Sequence, residues 1–166
     1  MSASIWLLKT EPDQFSMTDL AMRGSSGERW NGIRNYQARN FLRTMQVGDL
    51  ALIYHSTCSV PAIVGMARVI SPPYEDADAL DPGSAYFDAK STTSKVRWSV
   101  VDIQFSQHWT HPVTLAQLKM TTKLSDMAVL RQARLSISPV LEVEYRLILT
   151  LLAQNESQST IPAASL

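Results

Sequence analysis

The spacing of apolar and polar residues gives a first map of the chain. Ile5 to Lys9 is a β-rich run closed by Thr10-Glu11-Pro12 and predicts a first strand. Ser16-Met17-Thr18-Asp19 has the form of a capped helix start, and Arg23-Gly24-Ser25-Ser26-Gly27 stops that helix early. Between Asn35 and Met45, residues Ala38, Phe41, Leu42 and Met45 repeat at three and four and predict an amphipathic helix. Val47-Gly48-Asp49 then turns the chain into two β-rich runs, Leu50 to Tyr54 and Ala62 to Ile70, expected to pair antiparallel.

The second half is less regular. Ser71 to Ser94 contains Pro72, Pro73, Pro82 and Gly83 and predicts a long loop. Val96, Trp98 and Val100 alternate in one phase and Ile103 and Phe105 in the other, so a strand over 96–105 should carry a bulge near Val101-Asp102. Leu115 to Leu118 and Met127 to Arg131 predict short helical turns. Ser138-Pro139 has the pattern of a cap followed by proline at the first helical position, with a helix apolar nearly all round over Val140 to Leu152 and therefore buried. Periodicity is lost after that, so residues 153–166 are expected to form a disordered tail behind one domain over 1–152. The element order lacks regular βαβ alternation. It predicts an α+β fold, a mostly antiparallel, strongly curved sheet or small barrel flanked by short helices.

Composition narrows the function. The chain has 166 residues, 45% of them hydrophobic and 18% charged. A chain of this size buries roughly 70% of its unfolded surface, enough for one core. Lys and Arg number 15 and Asp and Glu number 15, which excludes nucleic-acid binding by bulk charge. The lone Cys58 excludes an intramolecular disulfide and a cysteine-built zinc site. No apolar stretch approaches the roughly 20 residues of a membrane span, and Ile5 to Leu8 lacks the basic flank of a signal peptide. These features predict a soluble intracellular chain, cytoplasmic or, in a eukaryote, nuclear.

Zero net charge conceals two charged regions. Arg23, Arg29, Arg34, Arg39 and Arg43 face only Glu28 over residues 23–43, a local +4. Glu75, Asp76, Asp78, Asp81 and Asp88 precede the first base, Lys90, a local −5. The acids either neutralise the arginines within the molecule or leave them to an anionic partner, and charge alone does not choose. Lys119, Lys123, Arg131 and Arg134 against Asp126 form a second basic set.

Enzyme signals are weak. The chain has no glycine-rich phosphate loop, dinucleotide fingerprint or Gly-x-Ser-x-Gly elbow. His108 and His111 lack a supporting carboxylate or thiolate and are not read as a metal site, and no cofactor is expected. His55 and Ser56 are neighbours on a strand and point to opposite faces, so they do not make a nucleophile and base. Trp30 is different, since it sits in a polar loop before the arginine-bearing helix and offers a face on which a flat ligand could stack, provided it is not a lid on the core. As a wall rather than core, it should tolerate alanine with little loss of stability. Ser136-Ile137-Ser138 sets two hydroxyls on one side of an extended segment, where they could meet a carbonyl or phosphate.

Trp6-Leu7-Leu8-Lys9-Thr10-Glu11-Pro12, the stretch Trp30 to Asn40, Val47-Gly48-Asp49 with Tyr54-His55-Ser56, Val64-Gly65 and Leu135-Ser136-Ile137-Ser138-Pro139-Val140 occur in an order that resembles the EVE-domain family. The likeness covers residues 4 to 150. It implies a PUA-like fold, a curved mixed pseudo-barrel flanked by helices, related to RNA-binding PUA domains and to YTH readers of methylated adenine. It implies a non-catalytic module that holds a modified, extruded base of DNA or RNA in an aromatic-walled pocket, without cofactor or metal. On this resemblance Trp30 is the stacking wall, and Lys9 and Asn35 are polar pocket groups. Tyr36, His55, Ser56, Ser136 and Pro139 line the pocket, while Arg34, Arg39 and Arg43 are candidates for the nucleic-acid backbone. Asn31 stands where the family commonly has an acid, which adds a donor to a site otherwise limited to accepting.

The expected mechanism is base extrusion, costing a few kcal/mol, offset by stacking on Trp30 and by hydrogen bonds to the base edge. Two alternatives stand beside it. One is an enzyme acting on a nucleobase or nucleotide through Lys9, His55 or Glu11, and the other is a protein-interaction module.

Overall fold

The structure, a computed structural model, describes residues 3–159. Its first strand, β1 (Ile5–Thr10), is buried on both faces, with Trp6 and Leu8 on one side and Leu7 on the other. Two cores therefore form, one on each side of a single sheet. Ser16 caps α1 (Met17–Met22) in a reciprocal capping box with Asp19. The short strand β2 (Glu28–Arg29) leads into the Trp30 loop, and Asn35 caps α2 (Tyr36–Leu42) by accepting from the Ala38 N–H. Strands β3 (Leu50–His55) and β4 (Ala62–Val69) pair antiparallel, as their alternation predicts.

The 71–94 stretch is more ordered than a plain loop. It carries β5 (Tyr74–Glu75) and a single 3-10 turn over Ala77–Leu80. β5 pairs with β6 (Ser99–Val100) in a small separate sheet. The phase slip at Val101 is real and marks a change of sheet. Beyond it runs β7 (Asp102–Thr114), longer than the alternation suggests and bent by register shifts against β4. The helices α3 (Leu115–Met120) and α4 (Ala128–Arg131) follow.

Two expectations near the carboxyl end are corrected. Ile137–Val140 is a strand, β8, with Leu8 opposite Ile137 and Ile5 opposite Val140. Ser138-Pro139 looks locally like a helix start, but the free edge of β1 captures the segment, and a proline is tolerated because β8 is itself an edge strand. The last helix, α5, runs Glu142–Ser159 and buries one side through Glu144, Ile148 and Leu152, while Leu141 before it and Val143 within it stay exposed. Residues 153–159, expected in a disordered tail, are helical. Asn155 holds them by donating to the Pro112 carbonyl at 3.0 Å and accepting from Gln117 Nε2 at 2.7 Å. The remainder of that stretch, 160–166, lies outside the described residues.

The main sheet has the order β2-β7-β4-β3-β1-β8, and β1 with β3 is its one parallel pair among the described residues. It is a curled, mixed, mostly antiparallel half-barrel flanked by short helices, an α+β fold. No described helix is long and apolar enough to cross a membrane.

Candidate functional site

Four backbone segments converge at one end of the half-barrel. They are the end of β1, the turn after β3, the loop 29–33 and the segment 133–136, and they enclose a cavity of about 600 Å³. Ligand pockets typically have volumes of about 300–1,000 Å³. Lys9 reaches it from β1, its backbone N–H donating to the Ser136 carbonyl at 2.9 Å and its Nζ to the Ala133 carbonyl at 2.8 Å. Burial holds the Lys9 pKa below the ordinary lysine value. Its Nζ lies 5.9 Å from the centre of the Tyr54 ring. Among the described residues no carboxylate pairs with it, so three ammonium donors are served by one neutral carbonyl.

Trp30 contributes to the wall, but it is 7% exposed and belongs to the larger core, its ring edge-on to Phe15 at 6.0 Å. The expectation of an indole standing free of the core is corrected: one edge serves packing and what remains serves the cavity. The loop beyond it is pinned from behind. Asp76, fully buried, accepts from the Gly32 N–H and from Arg34. Asp78 accepts from Asn31 Nδ2 at 2.5 Å and from Arg29 at 3.3 Å. Gly32 has φ +78°, and a Cβ there would meet the Tyr86 ring at 2.6 Å, so this turn requires glycine. Across the cavity, Thr57 adopts φ 53°, strained for a β-branched residue, and donates to Glu11 at 3.3 Å.

Of the residues expected in a pocket, the cavity brings together Lys9, Trp30, Ser56 and Ser136. Four others lie elsewhere. Asn35 is committed to capping α2. Tyr36 stacks on Trp98 at 5.0 Å, and its hydroxyl accepts from Arg97 at 2.7 Å. His55 turns to the opposite face from Ser56, accepting from the Met17 N–H at 3.1 Å, and burial followed by nearby His108 lowers its pKa. Pro139 lines a separate apolar groove beside α5.

The α2 arginines also lie off the cavity. Arg34 pairs with Asp76 at 2.9 Å and donates twice to the Tyr86 carbonyl. Arg39 covers the Tyr36 ring at 4.7 Å, and both Arg39 and Arg43 donate to the Arg97 carbonyl at 3.1 Å. Arg97 in turn binds Asp88, whose pKa it holds far below the usual carboxylate range, with help from Ser91, Lys90 N–H and Trp98. Internal pairing with loop acids, one of the two accounts left open by charge, takes Arg29 through Asp78 and Arg34 through Asp76, while Arg39 and Arg43 meet carbonyls, Asn40 and Ser99 and no carboxylate among the described residues. Arg134 and Tyr86 also line the cavity, and nothing in the sequence marks either as a cavity residue. Arg134 belongs to the second basic set, which carries no positional signal. Tyr86 lies in a loop whose path depends on distant partners.

Among the described residues no group of three His, Cys, Asp or Glu is placed to hold a metal. The cavity lining offers both hydrogen-bond donors and acceptors.

Comparison with known proteins agrees with the fold. The family model of the EVE domain matches residues 4–151. Human thymocyte nuclear protein 1 is 34% identical over 166 residues, covering 90% of this chain and 74% of that protein. A hypothetical protein from Leishmania major superposes with a TM-score of 0.87 at 44% identity, covering 95% of this chain and 98% of the other. The structure of the human protein in complex with DNA containing 5-methylcytosine gives 0.87 at 34% identity, covering 90% and 98%. A Zygosaccharomyces rouxii YTH domain, at 0.52 and 14% identity over 90% and 86%, shares the fold.

Proposed function

The chain belongs to the EVE-domain family, and on that premise we propose that it is a non-catalytic reader of a modified nucleobase in DNA or RNA, held in the cavity between Trp30 and Ser136. The observation that carries this is Lys9. A cation half-removed from water with no carboxylate partner bears an uncompensated desolvation cost, and a ligand accepting hydrogen bonds would relieve it. A human relative was solved with DNA containing 5-methylcytosine, which supports a modified base as that ligand.

In this reading the extruded base enters against the accessible edge of Trp30, and Lys9, Ser56 and Ser136 hydrogen-bond its rim. Arg134, on the cavity wall and without an ion pair among the described residues, contacts the flanking phosphate. Arg34, Arg39 and Arg43, engaged internally, hold the 29–39 segment in shape rather than the backbone. The test is a binding screen of oligonucleotides that differ only in one modified base, at two salt concentrations. Preference for one modification supports the reading, and equal binding of all of them contradicts it.

The depressed pKa of Lys9 also favours a second reading, in which it serves as a general base on a nucleobase. Turnover of a modified nucleoside by the purified protein would decide for that reading.

A further inference from the structure

Asn31, which lines the cavity, makes a short side-chain contact with Asp78, and its chemistry has a direction. A carboxylate only accepts hydrogen bonds, so the face of the Asn31 amide turned to Asp78 at 2.5 Å must be its NH2 group. One of its two N–H donors is used on Asp78, so the amide cannot flip as a free one can. Asn31 lines the cavity with its carbonyl oxygen fixed as the end of the amide turned away from Asp78. Asp78 is itself fixed, since its N–H donates to the buried Asp76 at 3.0 Å and its carboxylate also receives Arg29. Lys9 supplies the complementary group, because one of its three donors is used on Ala133 and no hydrogen-bond acceptor among the described residues takes the other two. One fixed acceptor and one donor thus line the same cavity.

We infer that Asn31, oriented by Asp78, and Lys9 are the specificity pair of this cavity, selecting a base whose edge carries an exocyclic amino group beside a ring acceptor over one carrying a carbonyl there. The inference rests on the base-reading function proposed above. Asn31 acts as an acceptor for the amino group, Lys9 as a donor to the neighbouring nitrogen or oxygen, and Asp78 as a positioning residue. A base with a carbonyl in place of the amino group would set oxygen against the Asn31 oxygen and leave both without a proton between them.

The test uses two pairs of bases at the centre of one single-stranded oligonucleotide, so that no duplex partner has to be matched. The pairs are 5-methylcytosine against thymine, which share the methyl group, and N6-methyladenine against hypoxanthine. In the pair the protein binds, the full chain should prefer the amino-bearing member by about tenfold or more. Asn31→Leu should bring that ratio close to unity. Asp78→Leu should reduce it, while Asp78→Asn, which keeps an oxygen to accept from the amide, should restore it. A merely structural role for Asp78 would move overall affinity and the thermal midpoint without moving the ratio. A wild-type ratio near unity, with the modified base still preferred over its unmodified parent, overturns the inference and leaves the reader function standing. An undiminished ratio in Asn31→Leu also overturns it. If Asn31→Leu fails to fold, the Asp78→Leu and Asp78→Asn pair decides in its place. Failure to prefer any modified base over its parent overturns both.

Discussion

Arg34 and Lys9 are both partly buried cations on the same side of the half-barrel, and what surrounds each one separates scaffold from site. Arg34 faces the fully buried Asp76 carboxylate at 2.9 Å and two further carbonyls, so its charge is matched within the molecule. Lys9 meets one carbonyl and an aromatic ring. The same contrast extends to their neighbours. The face formed by Tyr36, Arg39, Arg97 and Trp98 is a stack of rings and guanidinium groups tied through Arg97 to Asp88, whereas the cavity holds Arg134 and two serine hydroxyls without such partners among the described residues.

The largest effects should come from breaking the scaffold. Asp76→Ala leaves Arg34 without its counter-ion and the Gly32 N–H without its acceptor, and should lower stability by about 3–5 kcal/mol in denaturant titration. Trp30→Ala should cost a similar amount, about 3–5 kcal/mol, because the indole is core as well as wall. A small change in either would contradict the division drawn above. Lys9→Met should do the reverse, abolishing binding of a modified oligonucleotide with stability unchanged or raised, since it removes an unpaired half-buried charge.

Acid should draw on the stability that the arginine face contributes. Asp88 has a folded pKa below its ordinary value of 3.8, chiefly through its hydrogen bonds with Arg97, so the folded state binds fewer protons than the unfolded chain in that range. The stability this contributes is present above about pH 4 and is lost as pH falls below it. Asp88→Asn should therefore flatten part of the acid limb of a stability–pH curve. Asp19, also depressed by its bonds to Ser16, keeps the rest. The smallest expected effect is on salt dependence. Arg134→Gln should lower the slope of log affinity against log salt by about one, and Arg39→Gln should leave it unchanged.

Local patterns carried much of the fold. β1, the β3–β4 hairpin, the Ser16 cap and the break at Val101 each depend on neighbours a few residues apart, and they stand where alternation and capping rules put them. Ser138-Pro139 misled because its local chemistry suits a helix start, while the β1 edge that claims it is more than a hundred residues away in sequence. The helical continuation past Leu152 likewise depends on Asn155 meeting the end of β7 and α3. The site divides in the same way. Trp30 and Ser136 are legible from their own segments, Lys9 and Ser56 as pocket groups only from the family resemblance, and the four do converge. Asn35 and Tyr36 belong to the same motif but serve the helix cap and the ring stack. The Asn31–Asp78 contact was invisible because its partners lie 47 residues apart and nothing in either segment names the other.

The central claim is that the cavity, and not the arginine face, holds the base. It is tested most directly by equilibrium binding of a single-stranded oligonucleotide carrying one modified base, against its unmodified parent, to the wild type, Lys9→Met and Arg39→Gln. The account predicts a preference for the modified strand that Lys9→Met loses and Arg39→Gln keeps. A preference that survives Lys9→Met and disappears with Arg39→Gln would contradict it.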